Sequence, residues 1–321
     1  MAFGRRRAPL WLVALVLPLC SSEDADPPGT AEAKAAIDES RELLKTGKHK
    51  NAQDLLKQVL RQLELQPEAV EAQADVYSQL GVVYTKAGKE VEAISAFETS
   101  SELLHGAFGP ADPRVSLAAD RLAGAHVQAG DHAQAVPLYQ RMLKAMRDGL
   151  GIAHPGYRLT LNKLAEAAMA AGKPKVAAKA YRETLQVLEQ EPDGPARAGE
   201  TAKAQVRLSR ALGGTGAFKE ALEHASAARK LYESGAVADA DDMEHAFSVN
   251  AVAGVLEKLG RDEEAVSTMA LAADLAAEQR SADDPLVAAA QKNLAGLKAH
   301  VARKQRRRAQ QSPAANAHDE V

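Results

Sequence analysis

The chain has 321 residues, enough for one large domain or two small ones, and 46% of them are apolar, so a sizeable core can be buried. The formal net charge is −3, from 40 basic and 43 acidic residues mixed along the length, which argues against nucleic acid as a main partner. A single cysteine, Cys20, excludes an internal disulfide, a thiolate metal cluster and a C-x-x-C redox pair, and the nine histidines fall in no metal-ligand spacing.

Residues 1–22 read as a targeting segment. Arg5, Arg6 and Arg7 precede an uninterrupted apolar run from Leu10 to Leu19, and Cys20, Ser21 and Ser22 are small. This is the three-part layout of a secretory signal peptide, with Cys20 and Ser22 as the small residues before the cut. The run is too short to cross a bilayer of about 30 Å as a helix. Three rival readings stand beside it: an uncleaved anchor, a lipoprotein acylated on Cys20 (though Leu19 before it is not small), and a mitochondrial presequence (though the run is apolar all round). Cleavage after Ser22 would take the net charge from −3 to −6 and remove the one cysteine. Membrane contact is expected only if this segment is retained.

After a linker over residues 23–30, scarce aromatics (4%) and a predominance of alanine predict an all-α protein with small side chains at its helix contacts. Glycines recur at Gly47, Gly88, Gly130, Gly172, Gly216 and Gly260, 41 to 44 residues apart, and five residues after each stands an alanine: Ala52, Ala93, Ala135, Ala177, Ala221 and Ala265. A glycine can take positive φ and so ends one helix at the turn into the next. The alanine falls early in the second helix, where two helices of a tight hairpin come closest. Each unit over residues 31–284 therefore reads as helix A, a turn, helix B and a loop. In the second unit, helix A is expected over Glu68 to Lys86 and helix B over Glu90 to Leu104, both with apolar residues at i, i+3, i+4 and i+7. Asp112-Pro113, His154-Pro155 and Asp284-Pro285 each precede a helix A, since proline loses nothing in a first helical turn and an aspartate before it can cap. Pro195 and the acidic stretch Asp239–Asp242 hold the corresponding places elsewhere.

The second unit, with Tyr77, Leu80, Gly81, Tyr84, Gly88, Ala93 and Phe97, resembles the tetratricopeptide-repeat signature residue for residue, ending in Ser100 where that pattern has alanine. Units three and four keep Leu122/Ala123 and Leu164/Ala165 with Tyr139 and Tyr181. Units five and six are weaker, with Leu208/Ser209 and Val252/Ala253, and the first, with Glu39 for leucine, is weakest. The 42-residue unit, the His/Asp-Pro before helix A, Pro137-Leu138-Tyr139 and Leu161-Asn162-Lys163-Leu164-Ala165 are similar to the kinesin-light-chain-like branch. The resemblance implies a right-handed α-solenoid of about six helical hairpins, binding a protein or peptide along the A helices. It implies no cofactor and no catalysis, and leaves the oligomeric state open.

The last helix, Pro285 to about Arg308, has no partner after it and ends in Lys298, Arg303, Lys304, Arg306, Arg307 and Arg308. It is expected to cap the array with a polar outer face, its cations complementing the helix dipole; an anionic-surface patch is the other reading. Residues 309–321 form a polar tail whose end, His318-Asp319-Glu320-Val321, is similar to an endoplasmic-reticulum retrieval signal with valine for leucine. In a bacterium the same leader would mean export to the periplasm or surface.

Candidate chemistry is thin. Gly213-Gly214-Thr215-Gly216 follows a helix and lacks the Lys-Ser/Thr of a phosphate loop, so it reads as a turn. Asp239, Asp241 and Asp242 lack the glycine and distal glutamate of a calcium loop. Ile37, Arg41, Ser78 and Val82 do not make the carboxylate clamp of co-chaperone repeats. Ten residues before each turn glycine stands one helix-A position, and it holds Ser78, Asp120, Asn162 and Asn250, with Ile37 and Val206 breaking the series. By resemblance this is the place where related arrays hydrogen-bond an extended peptide, with Val82, Val127 and Met169 nearby as apolar pocket residues. The opposing reading is that these polar groups tie adjacent helices together. A second reading of function is a structural subunit of a membrane-associated complex, held by an uncleaved N-terminus or by lipidated Cys20.

Overall fold

A computed structural model of the protein describes residues 29–311 apart from 111, 238–241, 279 and 281–282. The leader with Cys20, most of the linker, residues Asp239 and Asp241, and the tail from residue 312 lie outside the described residues.

Among the described residues there are helices only, thirteen of them, forming an all-α solenoid. Six hairpins pair α1 (Thr30–Lys45) with α2 (His49–Leu63), α3 (Val70–Lys86) with α4 (Glu90–Phe108), α5 (Pro113–Gln128) with α6 (His132–Gly149), α7 (Pro155–Ala170) with α8 (Pro174–Glu189), α9 (Pro195–Thr215) with α10 (Phe218–Glu233), and α11 (Asp242–Lys258) with α12 (Asp262–Glu278). A single helix, α13 (Pro285–Gln311), follows. In the second unit, helix A starts at Val70, two residues later than expected, because Pro67 and Glu68 belong to the preceding turn; helix B runs on to Phe108 and stops at Gly109.

Every hairpin closes in the same way. Each of the six turn glycines has positive φ, between 68° and 83°. The residue after each glycine donates its N–H to the carbonyl five positions before itself, as in Lys89 to Tyr84 (2.9 Å), Asp131 to His126 (2.8 Å) and Lys173 to Ala168 (2.7 Å). Two otherwise orphaned groups at each helix end are thereby satisfied, which is why a residue free to be left-handed is needed there. The six alanines five residues on are 0–2% exposed, pressed between the paired helices. Gly81 supplies a close approach: a Cβ there would lie 2.6 Å from the Phe97 ring of α4, so in this unit the ring requires glycine on helix A. Tyr139 and Tyr181 fill the place of Phe97 in the next two units, and Ala225 and Met269 in the following two, all buried.

The glycine-rich stretch departs from the reading as a turn. Gly213 and Gly214 lie inside α9, and only Gly216 turns. Gly214 is small for a packing reason, since a Cβ there would be 2.9 Å from Pro174 at the start of α8.

Prolines and their preceding residues start the A helices as expected. Asp112 caps α5 by accepting from the Arg114 N–H at 2.8 Å, and His154 Nδ1 accepts from the Gly156 N–H at 3.1 Å at the start of α7. Each helix B packs against the next helix A, so the core runs unbroken from Ala33 to Val255, with a further cluster around Leu256, Met269, Leu297 and Val301.

Candidate functional site

The A helices stand in a row, and neighbouring A helices come into contact at α1 with α3, α9 with α11 and, more slightly, α3 with α5. Between them runs a ladder of charged contacts one repeat apart. Glu71 pairs with Arg114 (2.8 Å), Asp120 with Lys163 (2.7 Å), Arg158 with Glu200 (2.8 Å), Glu166 with Arg207 (3.8 Å) and Lys203 with Glu244 (2.8 Å). Long cationic side chains thus span gaps that the backbones leave open. The Glu244 carboxylate beside Lys203 holds that ammonium's pKa above its usual value, so the lysine stays charged at neutral pH.

This ladder bears on the polar series. Ser78 is buried, and its hydroxyl accepts from the Arg121 guanidinium of the next unit. Asp120 accepts from Lys163 of the unit after that, at 2.7 and 2.9 Å. In both cases the polar residue ten before a turn meets the cation nine before the next turn. Asn162 differs: its Oδ1 is buried with no hydrogen-bond partner among the described residues. Val82, Val127 and Met169 are half-buried and pack on the core between helices.

Of the seven positions, only Asn250 lines a large cavity. This space, about 900 Å³, lies between α9 and α11. Val206, Arg207 and Arg210 line it from α9, Phe247, Asn250 and Lys258 from α11, and Tyr232 from α10. Phe247 is 50% exposed, an unusual state for a large apolar ring. Arg210 and Lys258 form no ion pair among the described residues, whereas Arg207 and Lys203 are engaged by Glu166 and Glu244.

The position of Phe247, thirteen residues before its turn glycine, escaped the sequence reading. In units three and four the same position holds Leu117 and Leu159, 54% and 58% exposed. The signal was present: these residues lie one helical turn before the polar series and share its face. At that column the six units hold Lys34, Asp75, Leu117, Leu159, Lys203 and Phe247, so the apolar signal stands in three of them. Among the described residues no cluster of three His, Cys, Asp or Glu side chains could hold a metal ion, and no helix is long and apolar enough to cross a membrane.

The tetratricopeptide-repeat family model matches residues 72–148 and, in an overlapping register, 114–190. No curated protein is similar enough in sequence to count as a relative. The crystal structure of a putative kinesin light chain from Podosopora anserina, built of nearly identical TPR-like repeats, is 20% identical with a TM-score of 0.52, covering 64% of this chain and 97% of its own. A point variant of that protein gives 20% identity, a TM-score of 0.51, and 64% and 96% coverage. BtubC (BKLC) from P. vanneervenii is 15% identical with a TM-score of 0.48, over 64% of this chain and 90% of its own. Residues 72–190 therefore match the tetratricopeptide-repeat family model, and the array has the fold of a structure built of kinesin-light-chain TPR-like repeats.

Proposed function

We propose that the protein is a non-catalytic adaptor that holds a peptide or protein segment along the face of its A helices, with the cavity between α9 and α11 as the principal pocket. The observation that carries this reading is the half-exposed Phe247 ring in a cavity of about 900 Å³, flanked by Asn250 and by two cations, Arg210 and Lys258, without ion-pair partners among the described residues. A concave apolar space with a few convergent polar groups is the usual form of a recognition site. Asn250 offers both an acceptor and two donors to a ligand backbone. The tetratricopeptide fold itself serves protein–protein interaction, which supports the reading.

The setting we propose is the secretory pathway. It rests on the sequence of residues 1–22 and, for a eukaryotic host, on His318–Val321. N-terminal sequencing of the purified protein tests the first half: a chain starting at Glu23 supports export, and one that keeps Arg5–Arg7 favours the anchored alternative.

The groove is tested by cross-linking the protein in its native host, identifying what is captured, and measuring its affinity for the wild type and for Phe247→Asp and Asn250→Ala. Both substitutions should weaken binding by about 1–3 kcal/mol with unchanged thermal melts. Full-affinity binding by both variants would exclude this pocket.

A further inference from the structure

We propose that the free end of α13 is a docking tip for an anionic phospholipid surface. The helix is the A helix of a seventh unit: Leu294-Ala295 follows Val252-Ala253 by 42 residues, and Asp284-Pro285 opens it as Asp112-Pro113 opens α5. Forty-two residues after Gly260 stands Ala302, so no glycine turns the chain, and the helix continues to Gln311. The cap needs only the first part. Val287, Leu294, Leu297 and Val301 seat α13 on the array, and Lys304 closes the contact on Asp262 at 2.7 Å. The last turns cover nothing among the described residues, so capping of those residues does not explain them.

Those turns carry Arg303, Arg306, Arg307 and Arg308, all exposed and none ion-paired among the described residues. Helix periodicity puts Arg303, Arg306 and Arg307 on the side away from Leu297 and Val301. Residues 285–311 contain seven Lys or Arg and no acidic residue, whereas residues 29–284 contain 38 acidic and 30 basic residues, a net −8. Guanidinium groups match phosphate oxygens in a two-bond fork. Two features favour a membrane plane over a nucleic acid. A long polyanion lying beside the array would meet its net negative charge, while a plane touched tip-first stays beyond the Debye length of about 8 Å from most of it. Between Val301 and Gln311 the tip has no apolar side chain larger than alanine, which fits contact with headgroups without insertion.

The test uses the full chain and Arg303→Gln/Arg306→Gln/Arg307→Gln/Arg308→Gln in vesicle flotation, with phosphatidylcholine vesicles containing or lacking phosphatidylglycerol, and with a short DNA duplex. The readout is the ratio of binding to anionic over neutral vesicles, compared between the two proteins, both of which carry the same N-terminal segment with Arg5, Arg6 and Arg7. The wild type should prefer anionic vesicles at least tenfold at low salt and lose that preference at high salt. The quadruple variant should lose it at all salts with an unchanged melt. Equal ratios for the two proteins, or tighter binding to the duplex than to anionic vesicles, would overturn the proposal.

Discussion

At the scale of single residues, the polar atoms of the A helices divide by partner. Asp120 and Lys163 satisfy each other across α5 and α7, both about one-third exposed, so the pair is partly screened. A double-mutant cycle on Asp120→Ala and Lys163→Ala should give a coupling of about 0.5–1 kcal/mol; zero coupling would remove the ladder as a stabilising feature. His224 on α10 reports on burial. Its Nδ1 lies 2.5 Å from Gln205 Oε1 and its Nε2 3.8 Å from Glu220, with Arg182 and Glu223 also close. Burial, with Arg182 adding to it, pushes the ring's pKa below the ordinary histidine value despite the two carboxylates. Because the folded-state pKa lies below the unfolded one, the neutral ring stabilises the fold above the unfolded value of about 6.5. That contribution is lost as pH falls from there toward the folded value. His224→Gln should therefore reduce the drop in Tm between pH 7.5 and 5.5; an identical drop in both proteins would assign the pH response elsewhere.

At the scale of the element, the hairpin depends on small side chains near its turn. Ala177 and Ala135 are fully buried between the paired helices. Ala177→Leu adds three carbons where the space is filled, and should cost about 1–3 kcal/mol, read as a lower Tm. An unchanged Tm would mean that the hairpin opens without cost. The Phe97 ring requires Gly81 opposite it, whereas Tyr139 and Tyr181 pack with Ala123 and Ala165 at that place, and Ala225 and Met269 with Ser209 and Ala253.

At the scale of the molecule, each unit leaves apolar surface that only its neighbour covers, so the ends need special treatment. On α13 the positions that face helix B in other units are exposed and hold Gln291, Ala295 and Lys298, where α7 has Leu161, Ala165 and Ala168, all buried. Polar residues there end the array without leaving an adhesive face. Removing residues 285–311 should lower the Tm and promote association, because Val252, Leu256 and Met269 lose Leu297 and Val301. A chain ending after Lys304 should melt as the full protein does. If the shorter deletion were equally harmful, the last turns would be structural and not a free tip.

The sequence by itself determined the helices, the hairpin period and the turn glycines, because these rest on local rules: positive φ at a turn, proline at a first turn, and a small residue where helices cross. It also marked the column of Ser78, Asp120, Asn162 and Asn250. What lies opposite that column was decided only by tertiary structure. The spacing between A helices sets whether a polar side chain reaches its neighbour, and the partners are about 43 residues away, as with Asp120 and Lys163. The same distance explains why the cavity around Phe247 was not legible: its walls come from α9, α10 and α11, and its volume depends on how far those helices stand apart. The end of α13 was visible as a basic cluster, but whether those cations cover the array or project past it depends on where packing stops, at Val301 and Lys304.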